Sequence, residues 1–272
     1  MNWFQAVLFG IISGISEFLP ISASAHKAIA LQLFGVDGID PLRDLIVHIA
    51  VAAALITAAA NLLETIRRER RMAANGTRVY NQVYRGNMDY RLVRSAAIPM
   101  LLVFLVLSYI IKRVSLPLIA LFLLINGIIL YLPNRMLRGN KDARSMTRFD
   151  GILIGLGSAA SAFTGISGIG MNVSIATMRG ADQSHAVNWA LLLSLPMLVL
   201  QILMDIISIF ITLHSITLSA GFLGYVLIAL FAYAAGYLAV GLIRFLGVKI
   251  GYSAFSYYCW GASLFAFILY LI

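Results

Sequence analysis

Charge is scarce in this sequence. Only 11% of its 272 residues are Asp, Glu, Lys or Arg, and just eleven of them are acidic, while 61% are hydrophobic. That balance excludes a soluble domain built round one large core and describes an integral membrane protein whose long apolar runs are helices. Cysteine is nearly absent too: Cys259 stands alone, which rules out an intrachain disulfide and says little about compartment. The first apolar segment lacks a basic stretch before it and runs straight into polar residues, so no cleavable signal is expected. Twenty basic residues against eleven acidic ones leave a net charge of +9. They cluster between apolar runs, where the excess of Lys and Arg on cytoplasmic loops explains them without a nucleic-acid partner.

What is present is a series of apolar runs, to be compared with the ~20 residues that a membrane crossing needs. Asn2 to Leu19 and Ile21 to Phe34, split by Pro20, are too short and read as two half-helices that enter and return on one side. Leu42 to Leu63 spans. Glu64 to Val93 reads as a polar loop carrying Arg67, Arg68, Arg70, Arg71, Arg78, Arg85 and Arg91. Ser95 to Ile111 crosses back to a turn at Lys112–Arg113, and Leu116 to Leu132 leads into a second basic loop, 134–148. Phe149 to Phe163 and Ile166 to Met178 form another short pair around Thr164–Gly165. Ala186 to Leu213, Ala220 to Ile243 and Tyr252 to Ile272 complete a single all-α membrane domain, a polytopic bundle over residues 1–272.

The two short pairs read as copies. A shift of 145 residues aligns Phe4 with Phe149, Gly10 with Gly155, Ser13 with Ser158, Phe18 with Phe163 and Ser22 with Ser167, and then Gly35 with Gly180 and Asp37 with Asp182. The repeats cover about 2–63 and 149–213; three spans separate them, so the second copy is inverted, an architecture typical of transporters. The basic loops 64–93 and 134–148, with Arg244 and Lys249, then share the cytoplasmic side, and both termini lie outside.

Chemistry concentrates in Gly14 to His26. A carboxylate at membrane depth is costly and marks a functional site by default, so Glu17 beside a helix break points to a polar pocket. Glu17 can serve as general base, proton carrier or metal ligand, and His26 as acid, base or nucleophile. The turns Ser22–Ser24 and Ser167–Gly170 would offer free amides at half-helix N-termini, suited to an anion. The alternative is that these small residues only let helices pack. Asp44 and His48, four apart, share a helix face, as do Gln201 and Asp205 within a later apolar span. For each pair a cavity role stands beside a solvated or interhelical one. Asp182 and His185 read as solvated loop residues, and Cys259 as a small packed side chain.

The run G-I-I-S-G-I-S-E-F-L-P-I-S-A-S-A-H, Gly10 to His26, resembles the first signature of the bacterial undecaprenyl-pyrophosphate phosphatases. The likeness continues through Asp44–His48, Thr164–Gly170 and Ala186–Pro196. The resemblance implies an inverted-repeat bundle with two re-entrant helix pairs. It also implies removal of one phosphate from undecaprenyl pyrophosphate at the outer face of the cytoplasmic membrane, recycling the cell-wall lipid carrier. Glu17, Ser22 and His26 fall on the family's catalytic positions. Ser13, Ser24, Lys27, Ser167, Gly168, Gly170, Asn172 and Arg179 are the substrate-binding residues that follow from it. Four positions depart from the pattern: Ser13 stands for a glutamate, Ala23 for a serine, Gly168 for the phosphate-clamping arginine and Cys259 for another arginine. Ser22 is then the remaining nucleophile candidate, and Lys27 and Arg179 the remaining sources of positive charge. The expectation is a protein of this substrate class with impaired hydrolysis, or a binder or transporter of polyprenyl phosphate. A divalent cation such as Mg²⁺ or Ca²⁺ and a homodimer both stay open.

Overall fold

A computed structural model describes residues 1–36, 40–74, 89–111, 114–136, 139–212, 218–249 and 251–272. Asp37, Arg78, Arg85, Lys112, Arg113 and Arg138 lie outside them. Among the described residues every regular element is a helix, and six are long and apolar enough to cross a membrane. These are α3 (Pro41–Ala58), α5 (Asp89–Ile110), α6 (Leu116–Tyr131, extended by a 3₁₀ turn to Arg135), α9 (Gln183–Ile211), α10 (Phe222–Lys249) and α11 (Ser253–Leu271). The molecule is an all-α, multi-pass membrane protein.

Two hairpins of short helices interrupt this series. The first is α1 (Trp3–Phe18) and α2 (Ala23–Leu33); the second is α7 (Arg148–Ala159) and α8 (Gly168–Met178). Positions 145 apart in the two hairpins carry the same local devices. Asn2 and Thr147 are N-caps in capping boxes closed by Gln5 and Asp150. Ser22 and Ser167 cap α2 and α8 by accepting the amides of Ala25 and Gly170. Gly35 and Gly180 follow α2 and α8 with left-handed φ of 62° and 89°. Each cap satisfies amides that a helix start leaves without partners.

The hairpins open at opposite ends of the molecule. At the mouth of the first, the Gln5 side chain donates to the carbonyl of Phe34, the N-terminus meets Ser219, and Ser219 in turn bonds Asp40. At the mouth of the second, Arg179 pairs with Asp150, and Asp182 and Gly180 bridge to Lys141. Asp182 begins α9, whose 29 residues span roughly 43 Å before the chain returns to Ser219. Asp182 is held below the usual carboxylate range by the Ser184 hydroxyl and neighbouring amides.

Close backbone contact anchors the first hairpin. A Cβ at Gly14 would sit 2.4 Å from the carbonyl oxygen of Ala232, so only glycine lets α1 lie this near α10. The span expected from Leu42 to Leu63 is divided at Ala59, and the stretch expected as loop from Glu64 begins instead as helix α4 (Ala60–Ala74). Arg68 reaches back to Glu64 at 3.1 Å, and Leu62, Leu63 and Ile66 pack on the core, so the segment is amphipathic rather than merely polar. The helix expected to run to Phe163 ends at Ala159, followed by a 3₁₀ turn, because the chain must reverse at Gly165 with φ +123°.

Candidate functional site

The two breaks meet. The Ser22 hydroxyl accepts the backbone N–H of Gly165 at 3.2 Å, joining the first break to the second across 143 positions of sequence. Asn126, fully buried on α6, completes the joint: its side-chain amide donates to the carbonyl of Pro20 at 3.0 Å, and its oxygen accepts the amide of Ser167 at 2.9 Å. Ser22 itself has φ +73°, the one non-glycine left-handed residue among those described. A strained residue held by partners on all sides is typical of sites that must keep one geometry.

In front of this joint lies a cavity of about 80 Å³, room for several waters. Glu17 from α1 faces it, as do Ala23, Ser24 and Lys27 from α2. The second hairpin contributes Ser158, Ser161, Ser167, Gly168, Ile169 and Asn172, and α9 adds Ser194 and Gln201. Ala23 and Ser24 open α2; Gly168 and Ile169 open α8. The amides of such first-turn residues have no acceptor within their own helix, so two helix N-termini turn their positive ends to one space. Glu17 forms no ion pair among the described residues, and the buried amide oxygens of Asn172 and Gln201 find no donor. An amide group turned over offers N–H in place of oxygen, so both side chains can serve a polar ligand of either kind. No cluster of three His, Cys, Asp or Glu side chains occurs among the described residues.

Of the residues expected at the site, Glu17, Ser24, Lys27, Ser167, Gly168 and Asn172 come together on the cavity wall. The others are placed elsewhere. Ser22 is 1% exposed and occupied by the amides of Ala25 and Gly165, which makes it the joint behind the wall rather than a hydroxyl facing the space. His26 turns the other way: its Nδ1 donates to the carbonyl of Ser22 at 2.8 Å, and its Nε2 accepts the Tyr258 hydroxyl at 2.9 Å. Gly170 spends its amide on the Ser167 cap. Ser13 is fully buried with an unpartnered hydroxyl, off the cavity wall. Arg179, expected as a source of positive charge, instead pairs with Asp150 at the mouth of the second hairpin. Of the residues expected to share helix faces, Asp44 pairs with its neighbour Arg43, Gln201 lines the cavity, and His48 and Asp205 bond each other between α3 and α9. His185 stacks on Trp189. Cys259 is buried and accepts from Asn126 at 3.3 Å.

Asn126, Ser158, Ser161 and Ser194 escaped the reading of the sequence. A single amide in the apolar run Leu116 to Leu132 was a usable signal, since such a group must find a partner across helices. Isolated serines in apolar runs carry no comparable signal.

Comparison with known proteins identifies the lineage. The family described as "Bacitracin resistance protein BacA" matches residues 6–265. This chain belongs to the BacA family. Curated proteins similar to it include an undecaprenyl-diphosphatase of Methanobrevibacter smithii, 27% identical over 98% of this chain and 97% of that protein. Undecaprenyl-diphosphatase 1 of Shouchella clausii is 31% identical over 73% of this chain and 72% of its own. The undecaprenyl-diphosphatase of Carboxydothermus hydrogenoformans is 26% identical over 96% and 94%. Gly168, where the resemblance led one to expect an arginine, lines the cavity. A Cβ there would meet Ser161 at 3.4 Å and the Ser158 hydroxyl at 3.6 Å, ordinary van der Waals contact.

Proposed function

We propose that this chain binds the phosphate head of a polyprenyl pyrophosphate, undecaprenyl pyrophosphate in the first instance, in the cavity between its two helix breaks, and hydrolyses it slowly. The observation that carries the reading is the convergence of two half-helix N-termini on a space that Lys27 also lines. Backbone amides at helix starts and an ammonium are what a phosphate needs. The names of the relatives supply the lipid.

Each lining residue has a distinct task in this reading. The first-turn amides of α2 and α8 and the hydroxyls of Ser24 and Ser167 hold phosphate oxygens; Lys27 offsets their charge. Among the described residues Glu17 is the only carboxylate on the wall, and it is the base that positions water or accepts a proton. A hard divalent cation fits beside it: Glu17 with the unpartnered oxygens of Asn172 and Gln201 is an oxygen-donor set of the kind Mg²⁺ or Ca²⁺ takes together with phosphate. Such an ion would neutralise charge on the phosphate oxygens.

The slow step follows from what the wall lacks. Phosphoryl transfer is mostly positioning and neutralisation of charge, and an arginine presents two prongs to phosphate that a single ammonium does not. No arginine lines the cavity among the described residues, and Ala23 brings a methyl where the family pattern has a hydroxyl. The reading places the protein in a bacterial cytoplasmic membrane, with the basic residues of α4 and of 141–148 inside and both termini outside. The opposite openings of the hairpins support the inverted repeat, about 2–63 and 149–213, and the substitutions at Ser13, Ala23 and Gly168 favour, as the second reading, a binder or carrier of the lipid. Purified protein offered undecaprenyl pyrophosphate should bind it and release phosphate far more slowly than an intact relative. Turnover at the relative's rate would refute the slow step, and failure to bind would refute the ligand.

A further inference from the structure

Lys27, the one cation among the described residues of the cavity wall, is tethered from behind by a chain of buried groups that the proposed function does not use. Its ammonium lies 3.2 Å from Nε2 of His48 on α3, and Nδ1 of His48 lies 2.5 Å from the carboxylate of Asp205 on α9. The side chains of His48 and Asp205 are only 8% and 17% exposed. From this arrangement we infer that His48 and Asp205 are positioning residues that hold the Lys27 ammonium at the cavity as its anion-binding group. The inference rests on the phosphate-binding reading above and adds two residues to it.

The donor inventory fixes how the chain is wired. An ammonium has three N–H groups and no acceptor, so Lys27 donates to Nε2. With Nε2 accepting, the neutral ring carries its proton on Nδ1 and donates it to Asp205. A neutral imidazole therefore stands between a cation and an anion. Lys27 and Asp205 make no direct ion pair. Contact between them would bury the ammonium against the carboxylate and leave little for a ligand. With the imidazole as spacer, two of the three N–H groups of Lys27 stay free to face the cavity.

The tether also addresses an entropic problem. A lysine head on a flexible four-carbon stem loses freedom when it must hold a phosphate, and holding it beforehand lowers that cost. An acid in an apolar span is costly unless partnered, and here the partner leads to the cavity rather than to another structural helix contact. Gln201, one turn before Asp205 on α9, lines the same cavity, so this face of the helix is turned towards it.

The test is a double-substitution cycle on the full-length protein in detergent, reading the affinity for farnesyl pyrophosphate by equilibrium binding. Lys27→Met should weaken binding about 10- to 100-fold, the range of a charge-assisted hydrogen bond. Asp205→Asn and His48→Leu should each weaken it about 5- to 30-fold in the parent and less than about 2-fold in a Lys27→Met background, because they act only through that lysine. His48→Gln should bind within about 3-fold of the parent, since its amide oxygen can accept from Lys27 and its N–H₂ can donate to Asp205. A merely structural His48 would not distinguish Gln from Leu in this way once both proteins are folded. Equal losses with and without Lys27, or equal affinities for His48→Gln and His48→Leu, would overturn the inference. If Asp205→Asn does not fold, the His48 pair alone decides. No binding by the unsubstituted chain defeats the proposed function and this inference together, whereas binding that is indifferent to Asp205 and His48 defeats only the latter.

Discussion

Ser22 and Gly165 are joined by a hydrogen bond of 3.2 Å from the glycine amide to the serine hydroxyl. The bond fastens one helix break to the other at membrane depth, where freed backbone groups have no water to turn to. Asn126 supports the same joint through Pro20 and Ser167. The cavity exists because these three contacts hold both breaks open towards each other.

The joint should therefore be a stability element as well as a site element. Asn126→Ala leaves the amide of Ser167 buried without a partner, at about 1–3 kcal/mol, and leaves the carbonyl of Pro20 only the weak Cys259 thiol donor at 3.8 Å. The unfolding temperature in detergent should fall markedly, and ligand binding should fall with it. Ser22→Ala should cost a comparable amount, because the buried amides of Ala25 and Gly165 both lose the hydroxyl they donate to while the φ of +73° remains. A Ser22→Ala protein that unfolds like the parent would show that the breaks are held together by packing alone.

Restoring charge at the wall should restore chemistry. A Cβ at Gly168 meets its neighbours at ordinary contact distance, and Gly168 and Ala23 line the same cavity. Gly168→Arg with Ala23→Ser should raise phosphate release from undecaprenyl pyrophosphate by at least about tenfold, a small part of what a transition-state arginine can contribute. Ser13→Glu should add little on its own, because residue 13 is fully buried off the cavity wall. A double variant that folds and stays as slow as the parent would remove the argument from the missing arginine.

Glu17 is the negative charge beside a site for negative ligands. Glu17→Gln should bind farnesyl pyrophosphate as tightly as the parent or up to ~10-fold tighter in the presence of a chelator, since a like charge is gone. Its residual phosphate release should nonetheless drop by roughly 10²-fold, the scale of a lost general base. Parallel titrations with Mg²⁺ and with chelator read both effects. Weaker binding by Glu17→Gln under chelation would mean that the carboxylate contacts the ligand by way of a proton instead.

The orientation can be read from outside the cell. In a Cys259→Ser background, Asn2→Cys should react with a membrane-impermeant thiol reagent, while Arg70→Cys on α4 and Arg144→Cys should react only after the membrane is opened. Reaction of either arginine position from outside would invert the topology.

Much of the architecture was legible before any fold was known, because it is local. Apolar run length sets which segments cross, Pro20 and Thr164–Gly165 mark where they break, and Ser22 and Ser167 lie at the caps of the half-helices that follow. The 145-residue shift already paired Ser22 with Ser167 and Gly35 with Gly180, each with a matching place in its hairpin. Helical order in 64–74 was missed because a run of arginines reads as solvated loop until Ile66, with Leu62 and Leu63 before it, has a core to rest on.

Within the site, chemistry near a break could be named but its direction could not. Residues 22 to 27 occupy little more than one helical turn, and the fold sends them three ways: Ser22 into the joint, Ser24 and Lys27 to the cavity, His26 to Tyr258. Spacing along one helix says which side chains share a face, not which face meets which neighbour. Pairings such as His48 with Asp205, 157 residues apart, and Arg179 with Asp150 at the far mouth depend on how separate helices pack. The apolar pattern determined by itself that helices would cross and where they would break. Only tertiary packing decided which polar groups the breaks bring together, because those distances are set between helices rather than along the chain.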